Sequence, residues 1–369
     1  VTADATGGVF LVAIPGLEDA LEAEARAAGF AGVVRLPGGV QIAGGLAEAT
    51  RANMVLRCAV RVLWRVASFR ALHLAQLDKR SRKLPWGDWL VAGTPVRVEA
   101  VCRASRIYHD KAARSRVERA VAEAGIPVEP GAEVAVKVRI EDDLCTVSLD
   151  TTGEALHRRG TKEFVGKAPL RETMAAGFLW RMGFDGMQAV VDPMCGSGTI
   201  PLEAAGIAAG LVPGRGRRFA FEAMVGGVRP ELPEPGPVAG PPRFFGYDRD
   251  QGAVRGAAAN AVRVGVAELC AFACQPVSAL APPEGAPGIV LTNPPYGARI
   301  GNRKALFGLY GSLGAVLAER FSGWRVGIVT SDGGLARATG LALEPSAPVD
   351  HSGTRVRLWQ GVIGATGGL

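Results

Sequence analysis

Cysteine, histidine and aromatic residues are all scarce in this 369-residue chain: six cysteines, four histidines, and 6% Phe, Trp and Tyr together. The cysteines (Cys58, Cys102, Cys145, Cys195, Cys270 and Cys274) are scattered along the chain. That excludes the disulfide framework of small secreted domains and predicts reduced thiols. Cys270 and Cys274 have a ligand-like separation, but no second pair follows. They are read as small apolar residues around a buried strand, and no metal is expected. No uncharged apolar run approaches the ~18 residues of a membrane span. The start, with Asp4, Glu18 and Asp19 flanking the apolar patch 9–14, lacks the basic lead of a signal peptide. These absences predict a soluble, cytoplasmic protein with no membrane partner.

Glycine and proline, by contrast, are plentiful at 50 and 24 residues, above ordinary usage but short of low complexity. At ~150 residues per domain the length implies two or three domains. The net charge of +7 is unevenly spread. Residues 1–50 hold 2 basic and 6 acidic side chains, residues 51–119 hold 16 and 5, and the remainder holds 24 of each. The whole excess lies in one stretch, the footprint of a polyanion binder. Arg57, Arg61 and Arg65 recur every four residues, a spacing that a helix gathers on one face. A solvated helix face would carry acidic partners at i+4, and this stretch has almost none. Arg57, Arg61, Arg65, Arg80, Arg82, Lys83, Arg106 and Arg114 are therefore the candidate nucleic-acid contacts. Trp86 and Trp89 are read as core, and His73, His109 and His351 show no partner pattern.

The front half mixes strands and helices in an α+β manner. Strands are expected near 9–14, 39–42, 61–69 and 96–102, and helices over 16–29, 46–56 and 110–124. A hairpin of 133–140 and 145–150 should turn at Glu141–Asp143. From about Ala168 the grammar changes. A helix starting at Pro169 and running to about Met182 precedes apolar strands at 189–193, 244–248, 271–274, 288–292 and 324–331. Helical stretches lie between them, which predicts a parallel sheet with helices on both faces. Between Gly210 and Arg243 lies a Pro/Gly/Arg-rich insertion, expected to be a loop with one short helix.

Three constellations carry chemistry. Asp192-Pro193-Met194-Cys195-Gly196-Ser197-Gly198-Thr199 joins the first of these strands to the helix 200–209. Its glycines let the backbone approach a ligand, yet it lacks both the full dinucleotide fingerprint and the P-loop lysine. Asp248 ends the next strand, where a carboxylate can accept both ribose hydroxyls of a nucleoside-bearing cofactor. Asn293-Pro294-Pro295-Tyr296 closes the fourth strand, because two prolines cannot continue it. There the Asn293 side-chain carbonyl and the Pro294 main-chain carbonyl offer two fixed acceptors for an exocyclic base amine. They would hold both its hydrogens and turn its lone pair toward an electrophile. Tyr296 offers a face on which an extruded base can stack.

These motifs resemble those of class I S-adenosylmethionine-dependent methyltransferases that modify exocyclic amines. The run Leu149-Asp150-Thr151-Thr152-Gly153-Glu154-Ala155-Leu156-His157-Arg158-Arg159-Gly160, then Ala168-Pro169-Leu170-Arg171-Glu172, narrows the likeness. It resembles THUMP-domain RNA guanine-N2 methyltransferases, closest to the bacterial large-subunit rRNA type, and the stretch 293–301 with Arg299 fits the same group. The resemblance implies an α/β, Rossmann-like seven-stranded methyltransferase domain at 169–369, preceded by a ferredoxin-like region at 1–55, a THUMP RNA-binding domain at 56–152 and a linker at 153–168. It implies S-adenosylmethionine as cofactor, held by Asp192, Pro193, Cys195, Gly196, Ser197, Gly198, Thr199, Asp248 and Asn293. Asn293, Pro294 and Tyr296 would hold the target guanine. Gln275 stands where the family commonly has an acid for the adenine amine. Arg158 and Arg159 either contact RNA between the domains or form part of a solvated linker. No second methyltransferase domain follows in this chain, so a single activity on an RNA partner, most simply rRNA, is expected from a monomer. Alternatives are a tRNA guanine-N2 enzyme of the same family, a DNA adenine-N6 or cytosine-N4 enzyme with the same amine motif, and a non-catalytic RNA-binding or assembly factor.

Overall fold

The computed structural model describes residues 7–164, 170–232, 241, 243–296, 303–351 and 353–364. The chain divides into two compact units: one holds the chain up to Ala13, Leu21–Leu156 and Gly214–Leu232, and the other holds Ile14–Ala20, His157–Pro213 and the chain beyond Leu232.

The first unit follows the order β1 (Gly8–Val12), α1 (Glu18–Ala27), β2 (Val34–Leu36), β3 (Gly39–Ala43), α2 (Leu46–Val55), β4 (Arg61–Arg70), α3 (Leu74–Ser81), α4 (Trp86–Trp89), β5 (Val96–Arg103), α5 (Asp110–Glu123), β6 (Val134–Glu141) and β7 (Leu144–Asp150). All seven strands form one sheet in the order β2-β3-β1-β4-β7-β6-β5. β5 and β6 run parallel, and the other neighbours are antiparallel. The hairpin β6–β7 turns where expected, with Asp142 and Asp143 in the left-handed region at φ 50° and 62°. Asx residues tolerate that conformation better than most.

The four-residue arginine spacing does not mark a helix. Arg61 and Arg65 lie on β4, and Arg57 precedes it in a loop. The run Val62-Leu63-Trp64-Arg65-Val66 is rich in β-branched and aromatic side chains, which suit a pleated, half-buried surface. Nor is the basic stretch short of acidic partners. Arg82 pairs with Asp78 and Glu123, Arg114 with Glu118, and Arg106 with Asp143. Trp86 is buried as expected, while Trp89 is half-buried and meets Trp64 and Trp86 edge-on.

The insertion contributes a short 3₁₀ turn at Ala220–Ala223, and residues 214–232 close this first unit. Phe221 N–H donates to Thr151 O, Gly214 N–H to Met54 O, and Val225 N–H to Trp89 O, at 3.0 Å each. Phe219 and Phe221 stack with centroids 5.1 Å apart, both essentially buried. Residues 233–240 and 242 of the insertion lie outside the described residues, as do Ala168, Pro169 and the stretch 297–301.

The second unit contains α6 (Glu172–Arg181), β8 (Val190–Asp192), α7 (Thr199–Ala208), β9 (Phe244–Asp248), α8 (Gln251–Val264), β10 (Cys270–Cys274), β11 (Ile289–Thr292), α9 (Arg303–Arg320), β12 (Arg325–Thr330), α10 (Gly333–Ala338), β13 (Glu344–Pro345), β14 (Val349–His351) and β15 (Thr354–Val362). Seven strands lie in the order β10-β9-β8-β11-β12-β15-β13, with β14 paired to β15 off this path. β10 through β12 are parallel, as their apolar runs predict. β15 departs from an all-parallel sheet, running antiparallel to β12, β13 and β14. An antiparallel edge on an otherwise parallel sheet is a common mixed form. β11 is wholly buried, and Val290, Tyr310, Leu313, Leu317, Phe321 and Ile328 form the core on one face. β10 is a partly exposed edge rather than a buried strand: Cys274 is exposed and Cys270 half-buried. All six cysteines are free thiols.

Candidate methyl-transfer site

The tips of β8, β9 and β11 converge. β8 ends in Asp192, which is 2% exposed. Its Oδ1 accepts from Thr292 Oγ1 at 2.7 Å and from Met194 N–H at 3.1 Å. Burial pushes the Asp192 carboxyl up to about 7, and the charge of Asp248 adds to the rise. Thr292 is the last residue of β11, so this bond fixes the glycine turn against the strand that delivers Asn293.

The turn then needs backbone shapes that only glycine adopts without strain. Gly196 and Gly198 have φ 52° and 79°, and Gly198 caps α7. A Cβ on Gly198 would lie 3.1 Å from Ala257 Cβ and 3.2 Å from the Phe272 ring, whereas one on Gly196 would meet open space. The turn is latched to β9 by two bonds. Cys195 N–H donates to Tyr247 O at 2.8 Å, and Gly196 N–H to Asp248 Oδ2 at 3.0 Å. Gly246 on β9 has no room for a Cβ, which would come 2.5 Å from Phe272 and 3.0 Å from Cys195 Sγ. The other oxygen of Asp248 accepts from Asp250 N–H at 3.0 Å. Each carboxylate oxygen thus keeps a free lone pair at the strand tip. Gln275 is brought beside it, its N–H donating to Asp248 O at 3.0 Å.

At the end of β11, Asn293 Oδ1 is buried and has no hydrogen-bond partner among the described residues. Tyr310 OH donates to Pro295 O at 3.4 Å, and Tyr296 OH lies 3.0 Å from His351 Nδ1. Burial pushes the Tyr296 phenol up to about 12, so it is neutral and can serve either bond direction with the imidazole. His351, which shows no partner pattern in the sequence, is therefore a member of this site. It lies 55 residues from Tyr296, and only the fold brings them together.

Two further supports have no sequence signature. Lys162 Nζ donates to Thr199 Oγ1 at 2.6 Å and pairs with Glu172 at 3.1 Å, with 10% of its side chain exposed. Asn260, fully buried on α8, donates to Ser197 O at 3.1 Å and Phe164 O at 3.0 Å. Among the described residues no group of His, Cys, Asp and Glu could hold a metal ion.

The arginines proposed for RNA contact fall into two groups. Arg57 is 8% exposed. Arg61 donates to Asp150 Oδ2 at 2.7 Å, Arg65 donates to Gln41 Oε1 and covers the Phe10 ring, and Arg80 lies over Phe69. Arg159 is buried in an ion pair with Glu203 at 3.3 Å, so it is not part of a solvated linker. Arg82, Lys83, Arg106, Arg114 and Arg158 are exposed.

A parallel α/β sheet with a glycine turn after its first strand, an acid after its second and an Asn-Pro-Pro-Tyr exit from its fourth defines a protein of the methyltransferase class. Family comparison agrees: residues 159–349 match the RMKL-like methyltransferase domain, and residues 9–63 match the RlmL ferredoxin-like domain. The chain belongs to the RMKL-like methyltransferase family. It is 35% identical over 364 residues to the ribosomal RNA large subunit methyltransferase K/L of Syntrophotalea carbinolica, covering 92% of this chain and 51% of that protein. The chain thus spans about half the length of the curated relatives it matches. Among solved structures, SMU.472 in complex with SAH superposes with TM-score 0.82 at 25% identity, covering 98% and 99% of the two chains. A predicted N6-adenine-specific DNA methylase from Listeria monocytogenes str. 4b F2365 superposes with TM-score 0.82 at 28% identity, covering 96% and 95%. No helix among the described residues is long and apolar enough to cross a membrane.

Proposed function

We propose that the chain is an S-adenosylmethionine-dependent RNA methyltransferase acting on the exocyclic N2 amine of a guanosine in large-subunit rRNA. One observation carries the chemistry: Asn293 Oδ1, a strong acceptor, is buried without a donor among the described residues at the exit of β11. Leaving such a group unpaired costs about 1–3 kcal/mol. Rotating the amide to meet an entering N–H therefore breaks no existing bond of that oxygen.

The residues present fit the cofactor. Gly196 leaves open space beside the turn, and Asp248 keeps lone pairs for two ribose hydroxyls. Asp192, Pro193, Cys195, Ser197 and Thr199 complete the turn, and Gln275 offers an amide for the adenine edge. When bound, S-adenosylmethionine supplies an electrophilic methyl group. The protein's own part is positioning: Asn293 and the Pro294 carbonyl accept the two amine hydrogens, and Tyr296 stacks on the base. No strong base is needed, because the amine becomes acidic once alkylated and its proton can pass to water.

The name of the K/L relatives supports rRNA as substrate, and the excess of positive charge in residues 51–119 supports a polyanion partner. In this reading 1–55 is the ferredoxin-like region, 56–152 the THUMP RNA-binding domain, 153–168 the linker and 169–369, apart from the 214–232 segment of the first unit, the catalytic domain of a monomeric cytoplasmic enzyme. Arg82, Lys83, Arg106, Arg114 and Arg158 are its exposed RNA contacts.

The test is transfer of label from S-adenosylmethionine to unmodified large rRNA, small rRNA, tRNA and duplex DNA, each digested to nucleosides. Label in N2-methylguanosine from large rRNA is expected. The same nucleoside from tRNA alone would overturn the substrate, and label in N6-methyladenine of DNA would overturn the base.

A further inference from the structure

Outside the catalytic unit, the loop between β5 and α5 holds Tyr108 in the open. Its side chain is 71% exposed, the largest exposed aromatic surface among the described residues, and its ring lies 4.1 Å from that of His109. Burial would have favoured this side chain, so the surrounding structure must hold it out. Ile107, 4% exposed, anchors the loop in the core. Ala104 adopts φ 42°, a strained shape for a residue other than glycine. Asp143 Oδ1 accepts from Arg106 N–H at 2.8 Å, Asp143 N–H donates to Ser105 Oγ at 3.1 Å, and Asp110 Oδ1 accepts from Cys102 N–H at 2.7 Å. Asp110 and Asp143 thus bond the backbone, and Asp143 Oδ2 also lies 3.7 Å from Arg106 Nε in an exposed pair, while Asp142 and Glu141 face solvent. Arg103, Arg106 and Lys111 are close to Tyr108 along the chain and are exposed, Arg106 by 70% of its side chain.

We propose that Tyr108, backed by His109, is a stacking platform for an unpaired base of an RNA strand, with Arg103, Arg106 and Lys111 taking the adjacent phosphates. An exposed aromatic face on a loop that also carries exposed cations matches the way single strands are held, by stacking on the base and charge on the backbone. An apolar protein partner would leave those three cations desolvated. This inference extends the RNA reading of the chain but concerns binding in the first unit, and its test contains no cofactor.

The experiment titrates the full chain against a fluorescein-labelled short single-stranded oligoribonucleotide of mixed sequence and against its blunt duplex, by anisotropy across about 50–200 mM salt. Tyr108→Ala is expected to weaken single-strand binding by about 5- to 150-fold, the range one base–aromatic stack is worth. The salt slope should not change, and neither should duplex affinity. Tyr108→Trp should restore binding, and Arg106→Gln should instead lower the slope by about one. Equal single-strand affinity for the wild type and Tyr108→Ala at every salt would overturn the proposal, as would equal loss on strand and duplex. A Tyr108-sensitive single-strand affinity without methyl transfer to any RNA would keep this inference and remove the enzymatic one. Methyl transfer with Tyr108 neutral in binding would do the reverse.

Discussion

Replacing Asn293 with alanine is expected to make the protein more stable and inactive at once. In the resting structure its Oδ1 is buried and without a donor among the described residues, a condition worth about 1–3 kcal/mol against the fold. Asn293 is only half-buried, so truncation loses little packing. For a unit of about two hundred residues each kcal/mol moves the melting temperature by about 2–4 °C, so a rise of a few degrees should appear by calorimetry. Transfer should fall by the roughly 10²–10³-fold that one positioned hydrogen-bonding group contributes. Cofactor affinity, measured by isothermal titration, should stay within about twofold, since the turn and Asp248 are untouched. Normal turnover would remove Asn293 from the amine site. A drop in melting temperature would show that its oxygen is satisfied, and the account of a substrate-ready acceptor would fail with it.

Asp192→Asn keeps an oxygen for Thr292 and Met194 but carries no charge. The folded value of about 7 lies above the ordinary 3.8, so the native state holds this proton more tightly than the unfolded chain does. That stabilisation is full below about pH 4 and is lost as pH rises through about 7. The stability difference between variant and wild type, from urea melts, should therefore grow from near zero at pH 4 to at most about 4 kcal/mol above pH 7; a pH-independent difference would contradict it. Tyr296→Phe and His351→Ala each break the 3.0 Å bond between them. Each should cost about fivefold in kcat/KM, as a net hydrogen bond does, and the double variant should be no worse than either single. Additive losses in that cycle would mean that the two residues act separately. Arg61→Gln strands Asp150, which is 0% exposed. It should destabilise the fold by up to about 3–5 kcal/mol while leaving the RNA affinity of the folded protein unchanged. A lost salt slope without destabilisation would instead make Arg61 an RNA contact.

The strand tips of the candidate site were legible because their signals are local. Paired prolines must leave a sheet, glycines must make the tight turn, and apolar runs bounded by them must be buried parallel strands. The β6–β7 hairpin was legible for the same reason, from the acidic turn at Glu141–Asp143. What escaped depends on distant partners. His351 means nothing until β14 places it on Tyr296, and Asn260 reads as an ordinary helix residue until Ser197 and Phe164 reach it. The arginine spacing misled because four residues is a whole number of strand repeats as well as about one helical turn, so Arg61 and Arg65 satisfy both. Their partners Asp150 and Gln41 lie 89 and 24 residues away. The basic stretch hid its own neutralisation in the same way, through Glu123 and Asp143.

The return of residues 214–232 to the first unit has a practical corollary for anyone dissecting this protein. A fragment beginning at His157 would carry Phe219 and Phe221 with nothing to cover them, two stacked rings turned into a sticky surface. A fragment ending at Leu156 would lose the same rings from its interior and leave Thr151 O and Trp89 O short of donors. No single cut yields two sound halves. A splice that rejoins 214–232 to the chain after Leu156 would keep those rings covered, but it would still carry Ile14–Ala20, which belongs to the second unit. Evolution faces the same wiring: lengthening or deleting this insertion edits the interior of one unit from within the sequence of the other.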